Sequence, residues 1–206
     1  MAVSRITKSS VLQGFPKSRS LLAGNTAYDP AATWLIQRVA GTGSSNTITF
    51  SSIPQGYKHL QIRGLYIDSN SIDDRQNMLV KFNGDTSSTP PGHFLRARND
   101  GVSAYSDFRT SGNFVLWYSG QASPSQSNLI GGVQIIDILD YASTTKYKTV
   151  RSLTGTEDNG YTSNASGIVL NSALWENTAA VTSITLTSHG GNFRTNSTFA
   201  LYGMVG

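Results

Sequence analysis

The chain has 206 residues, which is one domain or one domain plus an arm. Hydrophobic residues are 38% and charged residues 14%, with 20 glycines and many Ser, Thr, Asn and Gln; this suits turn-rich β-structure and excludes disorder throughout. A formal charge of +4 and a pI near 9.4 permit only weak polyanion contact, and with 0 cysteines stability owes nothing to disulfides.

Met1 to Pro30 carries Arg5, Lys8, Lys17 and Arg19, with no acid before Asp29. Its apolar residues (Ile6, Val11, Leu12, Phe15, Leu21, Leu22) keep neither the helical nor the strand period, and Gly14, Pro16, Gly24 and Pro30 interrupt them. Such a segment does not fold by itself. It reads as an extended basic docking arm, residues 1–32, attached to a β-sandwich domain of residues 33–206. The arm is expected to reach onto a neighbouring subunit; lying along its own domain is the alternative. Its docking residues are Arg5, Lys8, Phe15, Lys17, Arg19, Leu21 and Leu22. The apolar ones gain by burial at an interface, and the like charges favour an acidic partner surface.

Strand patterns begin at Thr33. Trp34, Ile36 and Val39 precede a Gly41-Thr42-Gly43 turn, and Ile48 and Phe50 share one face of the next run. His59 to Ile67 places Leu60 and Ile62 on one parity and Leu65 and Ile67 on the other; Gly64 at the switch predicts a β-bulge. Met78, Val80 and Phe82 alternate again.

Thr86 to Gly112 is the least patterned part, with turn signals at Pro90-Pro91-Gly92 and Asn99-Asp100-Gly101. It reads as a long loop and a candidate recognition surface, made of Phe94, Arg96, Arg98, Tyr105, Phe108 and Arg109. A solvated loop packed by its own aromatics is the plainer alternative.

Strands resume at Phe114 to Tyr118, Leu129 to Leu139, Thr149 to Leu153 and Gly167 to Trp175, the last also compatible with a short helix. Val181 to Gly206 holds two alternating runs, Ile184/Leu186 and Phe199/Leu201, around Gly190-Gly191-Asn192. It predicts a terminal β-hairpin that closes the sheet. Eight to ten strands without a convincing helix predict an all-β, two-sheet antiparallel sandwich of jelly-roll type.

Motifs for chemistry are scarce. His59, His93 and His189 lack Cys or carboxylate partners at ligand spacing. Asp73-Asp74 and Glu157-Asp158 are adjacent, and neighbours on a strand point to opposite faces. No nucleophile elbow, phosphate-binding loop or nucleic-acid module is present. No cofactor, metal or catalytic set is expected, nor a membrane span or specific nucleic-acid contact.

Three stretches carry a resemblance: PKSRSLLAGN (Pro16 to Asn25), ITFSSIPQGYKHLQIRGLYIDS (Ile48 to Ser69) and NSTFALYGMVG (Asn196 to Gly206). Together they resemble small virion structural proteins of tailed bacteriophages, of tail-fibre, collar or head-decoration type, with a Leu-Tyr-Gly terminal strand. The resemblance implies particle membership and carries no catalytic residues. The expectation is a non-enzymatic virion protein, assembled in the bacterial host cytoplasm and docked by its arm. It belongs to the tail or fibre adsorption apparatus first and to capsid decoration second. Its partners are other virion proteins (tail, portal-proximal or capsid subunits) and further copies of itself, a trimer first. A carbohydrate-binding module for a host surface glycan is the alternative of another class, with Tyr105, Trp117 and Trp175 as stacking candidates. A polysaccharide hydrolase would need Asp137, Asp140 and Glu157 to converge.

Overall fold

A computed structural model of the chain describes residues 33–70, 75–87, 90–98, 101–108, 113–122, 131–156 and 167–205, with the backbone only at 75, 107–108 and 117–122. The arm, Asp73-Asp74, Arg109 and Glu157-Asp158 lie outside the described residues. The described chain is all-β. Its twelve strands are β1 (Thr33–Ala40), β2 (Thr47–Phe50), β3 (His59–Asp68), β4 (Arg75–Phe82), β5 (Pro91–Arg98), β6 (Gly101–Phe108), β7 (Phe114–Ala122), β8 (Gly132–Ile138), β9 (Lys148–Thr156), β10 (Gly167–Trp175), β11 (Ile184–Ser188) and β12 (Thr198–Met204).

The strands form two antiparallel sheets packed face to face. The larger runs β1-β12-β3-β8-β9-β10-β5-β6 and the smaller β2-β11-β4-β7. They join where the end of β3 pairs in parallel with β7, at Ile67↔Gln121 and Asp68↔Ala122. Between them lies the core that the alternating residues supply: Phe50, Ile62, Val80, Phe82, Phe114, Trp175, Phe199 and Leu201 are all buried. Phe82 of the smaller sheet meets the ring of Trp175 of the larger edge-on at 5.4 Å. Edge contacts of this kind add about 0.5–1.5 kcal/mol to the burial itself.

The structure departs from the sequence reading in three places. The last two strands are not a hairpin. β11 sits between β2 and β4, while β12 sits between β1 and β3 in the other sheet. Residues 189–197 cross from one sheet to the other, and such a crossing needs more chain than a two-residue turn provides. Nor is there a bulge at Gly64. The register of β3 runs without a break through Phe199↔Gly64 and Gly64↔Gln134. The glycine serves packing instead, since a Cβ there would lie 2.3 Å from the Phe199 ring. Finally, Thr86 to Gly112 is no long loop. Pro91 to Arg98 pairs in full register with Gly101 to Phe108. Its mixed Arg, Ala, Ser and Gly content hides the strand period, and only the Asn99-Asp100-Gly101 signal gives the turn away. The choice between helix and strand at Gly167 to Trp175 falls to strand, paired on both sides.

One buried cation stiffens the β9 start. Lys148 is fully buried, and its ammonium donates to the carbonyls of Ser143 (2.6 Å), Lys146 (2.9 Å) and Thr178 (2.7 Å), and to Asn177 at 3.4 Å. The Trp175 ring lies 5.6 Å from it. Burial lowers the Lys148 pKa from the ordinary lysine value, while the carbonyl cage favours keeping the proton. Lys148→Ala leaves these acceptors without a donor and is expected to lower the unfolding free energy by about 3 kcal/mol or more. Exposed Glu176, next to Trp175, provides the control: its alanine variant should stay within about 0.5 kcal/mol in urea denaturation.

Candidate functional site

The outer face of the larger sheet is where the chain departs furthest from an ordinary sandwich. In an exposed antiparallel sheet, outward positions are normally polar. Here the strands β8, β9, β10 and β5 reverse this. Their outward residues are Val133, Ile135, Leu153, Ile168, Leu170 and Leu95, each between 37% and 57% exposed. Their inward residues include Gln134, Ser152, Thr154, Thr156 and Asn171, all buried. Among them Asn171 Nδ2 donates to Ser152 Oγ at 3.0 Å and Thr154 Oγ1 to the Val169 carbonyl at 3.4 Å.

The register lines the outward residues into rows that cross every strand of the sheet. One row reads Arg38, Ala200, Arg63, Ile135, Leu153, Leu170, Leu95, Ala104. The next reads Ala40, Thr198, Leu65, Val133, Gly155, Ile168, Ala97, Val102. A third, polar row carries Leu35, Tyr202, Gln61, Asp137, Arg151, Ser172, His93 and Ser106. On the β1 half of the face lies a groove of about 510 Å³, lined by Arg38, Arg63, Leu65, Val133, Ile135, Thr198 and Ala200 among others. Arg63 is held there by Gln61, its Nε donating to Oε1 at 2.8 Å, and its guanidinium lies over the Tyr202 ring at 5.5 Å.

Part of the expected recognition cluster is assembled on the β5–β6 hairpin. Phe94 stacks on Tyr105 at 4.8 Å, and the Arg96 guanidinium lies 5.1 Å from the same ring while donating to the Tyr105 hydroxyl at 3.3 Å. Cross-strand pairing of Phe94 with Tyr105 causes this contact. Arg98 lies opposite Gly101 at the hairpin end; the side chain of Phe108 and all of Arg109 lie outside the described residues. Of the aromatics weighed for sugar stacking, Trp175 is core, 1% exposed, and its Nε1 donates to Asp85 at 2.8 Å. Tyr105 is 45% exposed, and the Trp117 side chain is not among those described.

The remaining polar groups are occupied structurally. Asp68, fully buried, accepts from the hydroxyls of Tyr66 and Ser188 and from the backbone N–H groups of Gly191 (3.1 Å) and Asn70 (2.6 Å). Burial, and then the Asp68 charge, hold the Tyr66 phenol well above its ordinary pKa. Asp137 faces outward and accepts from Gln61 Nε2 at 2.8 Å; Asp140 lies beyond β8 between Lys58 and Lys146. His59 Nδ1 accepts from the Asp140 backbone N–H at 3.0 Å. Among the described residues no three His, Asp or Glu side chains stand together as metal ligands. No protein-family model matches the chain, and no curated protein matches it.

The sequence reading missed the outer apolar face. Alternation in Val133 to Ile138 or Leu153 to Thr156 signals a strand, but not which parity faces inward. Asp140 supplies a pH test. The hydrogen bonds from Lys146 and then Lys58 hold its pKa below the ordinary 3.8. A depressed carboxylate stabilises the fold above that value and loses its contribution as pH falls through the folded pKa. Asp140 has φ +49°, which asparagine tolerates. The melting-temperature deficit of Asp140→Asn should therefore be visible at pH 6 and shrink toward zero as the pH drops below about 3.8.

Proposed function

We propose that the chain is a non-enzymatic structural subunit of a bacteriophage particle, built to be covered by other protein. The observation that carries this reading is the outer face of the larger sheet, with two rows of large apolar side chains where a free-standing sandwich displays polar ones. The resemblance to virion proteins agrees with it. So does the chemistry, because Asp68, Asp85, Asp137, Asp140 and His59 serve hydrogen bonds and ion pairs within the fold. The strand order also fits a jelly roll. The pairings β5–β6, β4–β7 and β11–β2 are nested as in a folded-over hairpin, while β10–β5 crosses β4–β7 and β8–β9 is inserted between β3 and β10. Within the particle we place the protein in the tail or fibre adsorption apparatus, with the segment 1–32 as the docking arm and other virion proteins as partners. Capsid decoration is the second placement. A carbohydrate-binding role is favoured by one observation, the half-exposed Tyr105 ring braced by Phe94 and Arg96.

Mass spectrometry of purified particles tests the reading directly: the chain should be present in many copies, and its absence would sink the idea. A copy number near that of the major capsid protein would move it from tail to decoration. Lys17→Glu combined with Arg19→Glu should reduce incorporation into particles and leave the melting temperature within about 1 °C, because both precede Thr33, where the first strand of the described residues begins. A Tyr105→Ala variant that keeps glycan-array binding intact would remove the carbohydrate role.

A further inference from the structure

We infer that the outer face of the larger sheet binds a second copy of the same chain, the two related by a two-fold axis that runs along the seam between β8 and β9. This rests on the assembly reading above and names the partner of its face. The seam is the midpoint of the sheet, with β1, β12, β3 and β8 on one side and β9, β10, β5 and β6 on the other. A two-fold axis in the plane between two facing sheets, parallel to the seam, lays each row over itself in reverse.

The seam positions of every row are self-complementary under that operation, while farther out Arg63 falls opposite Leu170. In the polar row Asp137 meets Arg151 of the second copy, and Arg151 meets its Asp137. In the apolar rows Ile135 meets Leu153, and Leu65 meets Ile168. Large residues fall opposite small ones: Val133 faces Gly155, where a Cβ would find nothing within 4 Å, and Leu95 faces Ala200. The groove of about 510 Å³ lies wholly on the β1 half. The protruding Ile168, Leu170 and Leu95 lie on the other half, so ridge enters hollow twice.

Size agrees. Seven strand spacings of about 4.8 Å and three rows about 6.7 Å apart cover on the order of 700 Å² per copy, close to the ~800 Å² per partner of a standard interface. Charge favours a second copy over the basic arm, because the copy offers Asp137 to Arg151 and the arm offers no acid before Asp29. The face carries Arg38, Arg63 and Arg151 against the one acid Asp137, and the arm adds four further cations. The symmetry is thus two-fold, where the sequence alone suggested a trimer.

Sedimentation of the full chain over a concentration series should show a reversible dimer. Leu153→Glu should weaken it at least about thirtyfold and leave the melting temperature unchanged at dilutions where the parent chain is itself monomeric, since the side chain is 49% exposed. Asp137→Arg should dissociate it, and Asp137→Arg with Arg151→Asp should restore it. The chain has no cysteine, so a short bismaleimide linker reads the geometry. Leu95→Cys with Ala200→Cys should give a covalent dimer, and either change singly should not, because two copies of one position lie about 24 Å apart. A chain that stays monomeric throughout overturns the proposal, as does a dimer dissociated by Phe15→Glu and Leu21→Glu but not by Leu153→Glu. Particle membership is judged separately by mass spectrometry, so the failure of one reading does not hide the other.

Discussion

A single buried carboxylate holds the two sheets in their relation. Asp68 ends β3 in the larger sheet, and its hydroxyl donor Ser188 ends β11 in the smaller. The backbone N–H of Gly191 adds the loop that carries the chain across, and Tyr66 closes the group from below. An ionised carboxylate out of water is tolerated only when its lone pairs are filled, and here four donors fill them. The backbone of the same residue and of its neighbour Ile67 anchors the crossing chain. Phe193 bridges to Asp68, Arg194 Nε donates to the Asp68 carbonyl, and Ser197 Oγ donates to the Ile67 carbonyl. A side chain at Gly191 would strike Asp68 Oδ1 at 2.7 Å, so the glycine is required by the carboxylate and not by a turn.

Fixing that corner decides which parity of each strand faces inward. Near the corner, inward means Tyr66, Phe193 and Phe199, a tilted aromatic cluster with centroids 5.0–6.5 Å apart. Farther along the larger sheet Gln134, Thr154 and Asn171 share the inner positions with Ile136, Val150 and Val169, and a second set of aliphatic residues turns out to solvent. Strand-to-strand register carries this inversion unbroken from β8 to β5. A face of this kind gains from being covered, at roughly 25 cal/mol per Å² of apolar surface removed from water. The stability of the chain and its association are therefore coupled through one sheet.

The strands of the core were legible because Ile48/Phe50, Met78/Val80/Phe82 and Phe199/Leu201 alternate cleanly, and period two has one physical meaning. The β5–β6 hairpin was not, since an edge strand bearing arginines and small residues lacks the apolar signal. Pairing was the least legible. Ile184–Ser188 and Thr198–Met204 are neighbours in sequence and strands of different sheets, and only the buried Asp68 group explains the crossing. For the same reason the outer face could not be read from sequence. Ile168 and Val169 differ by one methylene, and it is long-range register that leaves the first exposed and the second buried.

The pairing of Thr33 with Met204 has a mechanical consequence. The first strand of the domain and the last lie side by side and antiparallel, so their outer ends emerge at the same corner of the sheet. Tension applied between those two ends would open the β1–β12 ladder one rung at a time, like a zipper, and would not load all its hydrogen bonds at once in shear. Held from that corner only, the sandwich hangs as a pendant and transmits no pull through its core. As a link within a stressed chain it would part first at Thr33, and the larger sheet would then expose the edge of β12.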